Sequence, residues 1–296
     1  MNRFLDRVRC GETLLCDGAL GTMLFARGLD SGKCPEAVNV DRPEWLGEIA
    51  RLYLDAGSDI VTTNTFGASP LKLSQYGLEP EMREINEAGV RAVRDVVGTH
   101  AFVGGSVGPS GKILKPYGDT DSDAVYDSYL RQVRCLVDAG VDLVLVETMI
   151  DLTEAKLAVR AVKEVSPDMP VTAAMTFDST PRGFFTVMGT NVQQAADGLA
   201  EVGADVVGSN CGNGIEKMVR IAADYRKCTD RPLIIQSNAG LPRTKDGKLV
   251  YDETPSFMAD SARALMELGV SVLGGCCGTT PEHIAAFRVL VDAAGE

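Results

Sequence analysis

The amino-acid sequence predicts an α/β fold, a single (β/α)8 barrel that uses residues 1–296 as one domain. The first observation is a pattern that recurs four times, in which a glycine that ends a helix is followed at once by a short apolar run. Glycine tolerates the left-handed conformation that closes a helix, and an unbroken apolar run is typical of a parallel strand buried on both faces. The pattern occupies residues 55–61, 138–144, 201–207 and 267–273.

The second observation is that strands and helices alternate along the chain. Four more apolar runs, at residues 14–16, 101–105, 170–175 and 232–236, bring the predicted strands to eight. Helical patterns separate them at residues 43–56, 81–97, 123–139, 151–165, 191–202, 215–227, 255–268 and 281–293. Thr254 and Thr280 each place a capping hydroxyl before a proline at the first helical position. Eight alternations indicate a closed barrel of the TIM type, with an open doubly wound sheet as the alternative.

Composition and charge narrow the class of function. The formal net charge is -12 and no dense run of Lys or Arg occurs, which argues against a nucleic-acid partner. The first residues are charged and lack the apolar core of a signal peptide, and no stretch approaches the ~18 apolar residues of a membrane span. We therefore expect a cytoplasmic protein with no membrane partner. In that reducing compartment, its eight cysteines favour metal binding or catalysis over a disulfide framework.

The C-terminal ends of the predicted strands are where a barrel of this class carries its chemistry. All eight apolar runs end in polar or metal-binding residues, and the general polarity of loops explains only part of this. It does not explain why three cysteines lie at two of the ends. The ends are Asp17, Asn64, Ser106, Glu147, residues 176–178, Asn210 with Cys211, Asn238, and Cys276 with Cys277.

Cys211, Cys276 and Cys277 are the sharpest of these signals. One strand separates strands 6 and 8, so we expect their ends to face a common point across the barrel. Three thiolates make a soft site suited to Zn²⁺ and leave the fourth tetrahedral position for a substrate. The spacing alone leaves two other interpretations open: buried cysteines that act as small hydrophobes, and a disulfide between the adjacent pair.

Asp17 and Glu147 end strands with apolar interiors. Two carboxylates at one end of a barrel are suited to binding the ammonium group of a small substrate. An ion pair or a helix-capping role is the alternative for each of them.

Several motifs resemble those of the homocysteine S-methyltransferase family, and most closely the homocysteine-binding module of cobalamin-dependent methionine synthase. The resemblance runs in one order from about residue 12 to residue 290. Its most specific part is the glycine–cysteine motif at residues 274–283, and the glycine-rich motifs are less specific. The others lie at residues 17–22, 63–68, 108–111, 210–211 and 238–240.

The resemblance implies a (β/α)8 barrel with zinc on Cys211, Cys276 and Cys277 and with the homocysteine sulfur in the open position. It places residues matching Asp17, Gly18 and Glu147 around the amino and carboxylate groups of homocysteine. Asn238 matches a family position that approaches zinc when substrate is absent. Asn64 and Asn238 complete the expected substrate-binding set.

The expected reaction is zinc-dependent transfer of a methyl group to the homocysteine thiol, giving methionine. Zinc deprotonates a coordinated thiol and holds it in place. The chain has two histidines, His100 and His283, and neither lies in the Asp-x-His-x-x-Gly pattern of modules that ligate cobalt. We therefore expect methylcobalamin to be supplied by a separate corrinoid protein or module.

Other functions remain open at this point. The same superfamily contains enzymes that use betaine or S-methylmethionine, although aromatic residues, which betaine recognition favours, make up only 6% of the chain. A non-catalytic corrinoid-docking zinc scaffold predicts a fourth Cys or His near the three cysteines, and none is evident. A Schiff-base lyase on the same barrel needs a lysine at a strand end, and none of the eight ends carries one.

Overall fold

The computed structural model describes residues 3–30, 32–245 and 248–295, and it confirms the predicted barrel. Eight parallel strands form one sheet in the order β1-β8-β7-β6-β5-β4-β3-β2. An isolated parallel bridge between Cys16 and Ile60 joins the two outer strands. The strands are β1 (Leu14–Leu15), β2 (Ile60–Thr62), β3 (Phe102–Val107), β4 (Leu143–Met149), β5 (Val171–Met175), β6 (Val206–Asn210), β7 (Leu233–Ser237) and β8 (Val272–Gly275).

Eight long helices follow the strands, and their ends agree with the predicted ranges to within a residue or two. Thr254 caps its helix as predicted, since its hydroxyl accepts a hydrogen bond from the Phe257 N–H. The Thr280 hydroxyl instead contacts Glu282 and His283. The helices are α1 (Pro43–Asp55), α2 (Met82–Val97), α3 (Ser122–Ala139), α4 (Leu152–Val165), α5 (Val192–Glu201), α6 (Ile215–Cys228), α7 (Pro255–Glu267) and α8 (Pro281–Gly295).

Short elements in the connecting segments were not predicted from the sequence. They are too brief to show a period of their own. Two antiparallel hairpins pair Asp178–Thr180 with Gly183–Phe185 and Arg243–Lys245 with Lys248–Val250. Short α-helices span Arg3–Arg9, Leu20–Ala26, Val38–Asp41 and Pro70–Leu73, and 3₁₀ turns span Pro35–Ala37, Ser74–Tyr76 and Glu79–Glu81.

The interior of the barrel is filled by apolar side chains. The helix Arg3–Arg9 covers the N-terminal end, where Phe4 packs edge-on against Phe102 with ring centroids 5.8 Å apart. Open volume inside the barrel is therefore left at the C-terminal rim, which we call the mouth. The strand residues of this inner cluster are Leu14, Cys16, Ile60, Phe102, Leu143, Leu145, Ala174, Val206, Ile234 and Val272.

The recurrent sequence pattern has a structural role at the N-terminal ends of the strands. In three of its four copies, the aspartate after the glycine accepts a hydrogen bond from a backbone N–H of the preceding strand. In the fourth copy, Ser271 stands at this position. These contacts join Asp59 to Leu15 (2.9 Å), Asp142 to Val103 (2.7 Å) and Asp205 to Val171 (2.9 Å).

Each of the three aspartates also pairs with a basic side chain from a nearby helix. Arg7 and Arg288 both contact Asp59, at 2.9 and 3.1 Å. Arg94 pairs with Asp142 and Lys163 with Asp205. The pattern therefore stabilises the register of neighbouring strands at the end opposite the mouth.

Among the described residues, no helix combines the length and apolar character that crossing a membrane requires.

Replacing Asp59 with alanine tests this role. The change leaves the Leu15 N–H buried without its acceptor and removes the anion that faces two arginines. We expect the free energy of unfolding in urea to fall by about 2 kcal/mol. Asp95→Ala, at an exposed position on α2, is the control. Equal unfolding midpoints for the two variants would contradict the assignment.

Candidate active site

A cavity of about 390 Å³ opens at the mouth. Residues from the ends of β1, β2, β4, β6 and β8 surround it, as parallel strands in a closed sheet require. It brings together seven of the eight residues singled out from the sequence. These are Asp17, Gly18, Asn64, Glu147, Cys211, Cys276 and Cys277.

Cys211, Cys276 and Cys277 form a compact group, which we call the thiol cluster. Their sulfur atoms all lie within 4.8 Å of one another, and the Cys211 and Cys277 sulfurs are 3.9 Å apart. Thiolates on a tetrahedral zinc ion, with Zn–S bonds of about 2.3 Å, lie roughly 3.8 Å from each other. All three cysteines are free and partly buried, so the adjacent pair does not form a disulfide.

The three thiols are not equivalent. Hydrogen bonds from Cys276 and Cys277, with a smaller contribution from Asn238, lower the pKa of the Cys211 thiol. The contact with Cys211 raises the pKa of Cys276.

Cys211 owes its position to an unusual backbone conformation. Its φ of 61° lies in the left-handed region, which is costly for a residue with a side chain and is found preferentially at functional sites. The Cys211 N–H donates to the Gln236 carbonyl of β7, and its own carbonyl accepts from Asn213. These bonds hold the end of β6 in the strained turn.

The glycines around Cys276 and Cys277 are required by close packing. A Cβ on Gly275 would lie 2.2 Å from the Thr279 hydroxyl, and a Cβ on Gly278 would lie 2.1 Å from the Tyr251 ring. Gly278 also has a φ of 80°. Glycine at these positions lets the chain after β8 fold tightly around the two cysteines.

Thr279 joins the loop after β8 to the loop after β1. Its hydroxyl donates to the Cys276 carbonyl at 2.7 Å and accepts from the Ala19 N–H at 3.1 Å. Tyr53 supports the same junction by donating to the Ala19 carbonyl. A Cβ on Gly18 would lie 2.7 Å from the Thr279 hydroxyl, so Gly18 permits this approach.

Asp17 and Glu147, which we call the carboxylate pair, are buried and half-buried respectively and have no basic partner. The backbone N–H and the hydroxyl of Thr62 donate to Asp17, and the Ser106 hydroxyl donates to Glu147. No Lys, Arg or His occurs among the described residues that line the cavity. The ion-pair and helix-cap alternatives therefore do not apply to the described contacts of either carboxylate.

Burial shifts the titration of both carboxylates. It raises the pKa of Asp17 to about 6, against the opposing effect of the hydrogen bonds from Thr62. It raises the pKa of Glu147 to about 7, against the Ser106 hydrogen bond, and the nearby Asp17 raises it further. A buried carboxylate with a perturbed pKa in a cleft indicates a binding or catalytic position.

The two asparagines singled out from the sequence have different surroundings. Asn64 lines the cavity, but its amide donates to the Pro35 carbonyl and to Asn39, so both of its hydrogens are used within the protein. Asn238 hydrogen-bonds to Cys211 and is not among the residues that line the cavity. Its Oδ1 is buried and has no hydrogen-bond partner among the described residues.

Ser106 and Asn210 were noted from the sequence as strand ends but were given no role in the site. Gln236 and Thr148 were missed altogether, although Gln236 is a polar residue within an otherwise apolar strand and that contrast was an available signal. Thr148 has a φ of 60°, which no sequence feature indicated.

Fold and site together place the protein in the class of (β/α)8 barrels that carry a cysteine cluster at the mouth. A family profile described as Homocysteine S-methyltransferase matches residues 14–291. The chain therefore belongs to the homocysteine S-methyltransferase family.

The relatives agree with this assignment. The chain is 34% identical to the methionine synthases of Mycobacterium leprae and Mycobacterium tuberculosis over 95% of its own length. It spans about a quarter of the length of these curated relatives, 24% and 25%.

Solved structures of the homocysteine methyltransferase MmuM from Escherichia coli are also similar. The metallated form is 25% identical with a TM-score of 0.78, covering 94% of this chain and 96% of that one. The oxidized form is 25% identical with a TM-score of 0.79, covering 97% and 99%.

Replacing Thr279 with valine tests the junction at the mouth. The substitution keeps the side-chain shape but leaves the Ala19 N–H without its acceptor and removes one of the two hydrogen bonds to the Cys276 carbonyl, which still accepts from the Thr279 N–H. We expect the free energy of unfolding to fall by roughly 2–3 kcal/mol. Thr279→Ser retains the hydroxyl and is expected to stay close to the unsubstituted protein. If serine and valine destabilise equally, the hydroxyl does not serve this purpose.

Proposed function

We propose that this protein transfers a methyl group to the thiol of homocysteine, giving methionine, with Zn²⁺ held by Cys211, Cys276 and Cys277. One observation carries the proposal: the thiol cluster and the carboxylate pair, which has no basic partner, line the same cavity. Homocysteine has the two matching groups, a sulfur for the metal and an ammonium for the carboxylates. We further propose that residues 1–296 form one homocysteine-binding domain that acts in the cytoplasm, where thiols stay reduced.

The donor set fits zinc. Three thiolates are the soft ligands that zinc prefers, and the spacing of their sulfurs suits a tetrahedral ion. Among the described residues, the cluster has three members, which leaves a coordination position for substrate. The buried Asn238 Oδ1, which has no partner among the described residues, would be available as an oxygen ligand in the state without substrate. When bound, zinc would hold the substrate sulfur as a thiolate ready for methylation.

The carboxylate pair performs the amino-acid recognition in this proposal. Ionised Asp17 and Glu147 bind the substrate ammonium, and the hydrogen bonds from Thr62 and Ser106 keep their oxygens oriented. The absence of a Gly18 side chain lets the substrate backbone approach the loop after β1. Asn64 shapes the wall through its bonds to Pro35 and Asn39, beside the substrate.

Methylcobalamin on a separate corrinoid protein or module is the donor that we propose. The 34% identity to methionine synthases over nearly the whole chain supports it, because this chain matches only about a quarter of those proteins. The other three quarters of those methionine synthases lie outside the region that this chain matches. The corrinoid partner is therefore expected to deliver the methyl group at the mouth.

S-methylmethionine is the second candidate donor, and the charge of the cavity favours it. Its sulfonium and ammonium groups are both cationic, whereas the described lining carries carboxylates and no basic side chain. Betaine is less suited, since Phe66 is the one aromatic residue among the described lining residues and quaternary ammonium groups favour several rings.

Single serine substitutions of the three cysteines test the proposal. Because each removes one of three metal ligands, we expect each variant to lose bound zinc and homocysteine methylation together. Zinc is measured by elemental analysis on the same sample that is assayed for methionine. Cys10→Ser, at an exposed cysteine outside the site, is the control and should retain both.

The same assay compares methylcobalamin, S-methylmethionine and betaine as donors. Methionine formed from methylcobalamin supports the proposed donor, and methionine formed only from S-methylmethionine supports the second candidate. Full activity in a zinc-free cysteine variant would contradict the metal site. Bound zinc without methylation from any of the three donors would instead favour a non-catalytic corrinoid-docking scaffold.

The pH dependence of ligand affinity tests the carboxylate pair. With pKa values of about 6 for Asp17 and about 7 for Glu147, both carboxyls are neutral in acid and ionised above neutral pH, while a substrate ammonium stays protonated over this range. Binding of methionine, which has the ammonium but no titrating thiol, should weaken at least about tenfold from about pH 7.5 to about pH 5. Calorimetry measures the dissociation constant at each pH.

Glu147→Gln is the matched variant for this measurement. It should bind methionine more weakly at neutral pH and lose the part of the pH dependence that falls near pH 7, which belongs to Glu147. A dissociation constant for the unsubstituted protein that does not change with pH would contradict the assignment.

A further inference from the structure

Asn210, the last residue of β6, contacts both halves of the site. Its side chain is fully buried, and it directly precedes Cys211 in the chain. Its Oδ1 accepts from the Thr148 N–H at 2.7 Å, and its Nδ2 donates to the Thr148 hydroxyl at 2.8 Å. The same Nδ2 lies 3.3 Å from Glu147 Oε2 and 4.0 Å from the Cys276 sulfur.

Thr148, which Asn210 contacts, has a strained backbone conformation. A β-branched residue with a φ of 60° is a backbone outlier that persists only where its surroundings impose it. The pairing of β4 with β5 is irregular between Val146 and Met149, which brackets this residue. Asn210 hydrogen-bonds to both the backbone N–H and the hydroxyl of Thr148. It therefore holds in place the turn that directs Glu147 into the cavity.

The amide of Asn210 has fewer hydrogens than acceptors. Its Nδ2 carries two hydrogens, whereas three acceptors lie near it: the Thr148 hydroxyl, the Glu147 carboxylate and the Cys276 sulfur. A shift of one of them changes the hydrogen bonding available to the others. The amide is therefore placed to link the position of Glu147 to that of the thiol cluster.

We propose that Asn210 is a positioning residue that couples the amino-acid subsite at Glu147 to the thiol cluster at Cys276. The proposal rests on the function proposed above, because it takes Glu147 to hold the substrate ammonium. Binding of that ammonium draws the Glu147 carboxylate into one orientation, and the Asn210 amide holds it there from behind. The substrate sulfur and ammonium are then held at a matched separation.

Asn210→Asp separates this role from simple support of the turn. Aspartate keeps an acceptor for the Thr148 N–H but removes both Nδ2 hydrogens and brings a carboxylate against Glu147. We expect the homocysteine dissociation constant to rise about tenfold or more, the order expected for a lost hydrogen bond to a charged group. Zinc content should remain that of the unsubstituted protein, and KM for homocysteine should rise more than kcat falls.

A double variant shows whether Asn210 acts through Glu147. If it does, Asn210→Asp combined with Glu147→Gln should bind homocysteine no more weakly than Glu147→Gln alone, because the amide introduced at position 147 can donate to the carboxylate introduced at position 210. A double variant whose loss of homocysteine affinity equals the sum of the losses in the two single variants would overturn the coupling. Asn210→Ser, which removes the amide without adding charge, gives the same comparison if the aspartate variant folds poorly.

Asn86→Asp is the matched control. Asn86 is fully buried on α2 and donates to the Ala68 and Met82 carbonyls, away from the cavity. Its replacement should lower the melting temperature without changing homocysteine affinity. An Asn210→Asp variant that behaves in the same way, or one that loses its zinc, would overturn the proposal. Failure of the unsubstituted protein to bind homocysteine would overturn the proposed function as well.

Discussion

Closure of the sheet between β1 and β2 is the constraint on which the rest of the structure depends. It is made by the Cys16–Ile60 bridge and by the hydrogen bonds around Asp59. Because all eight strands are parallel, closure brings every carboxyl end to one rim. Asp17 then lies against Thr62, and Cys211 meets Cys276 and Cys277 across β7. The apolar interior below leaves the mouth as the place for a polar cavity.

The charges of the cavity suit a cationic ligand. Asp17, which is buried, and Glu147, which is half-buried, lie there without a basic partner, so the protein alone favours their protonated forms, as their raised pKa values show. Protonation of these two carboxyls stabilises the folded state. This stabilisation is fully present below about pH 4 and is lost as the pH rises through about 6 to 7. A cationic ligand reverses the balance near neutral pH. Asp17 and Glu147 thus destabilise the ligand-free protein and would stabilise the protein with a cationic ligand bound.

Prediction from the sequence succeeded where one local rule governs an element. The helix that begins after Thr254 and the helix that ends before Gly140 have strong periodicity and end signals, and the structure has them at the predicted positions. The three cysteines were foreseen at the mouth because strand order alone places β6 and β8 on either side of β7. Thr148 could not be foreseen, since its left-handed backbone is imposed by Asn210 from another strand. The hairpin at Asp178–Thr180 was missed because it is too short to show alternation.

The sequence by itself determined the barrel, its strand order and the residues that reach the mouth, because periodicity and the glycines of the fourfold helix-ending pattern act over a few neighbouring positions. Family membership was also readable, since motifs such as residues 274–283 are local. Only the tertiary structure decided which of those residues share contacts. It left Asp17 and Glu147 without a basic partner, turned the amide of Asn64 toward Pro35, and placed Asn210 between Glu147 and Cys276. The physical reason is that hydrogen bonding and desolvation depend on distances between residues far apart in the chain.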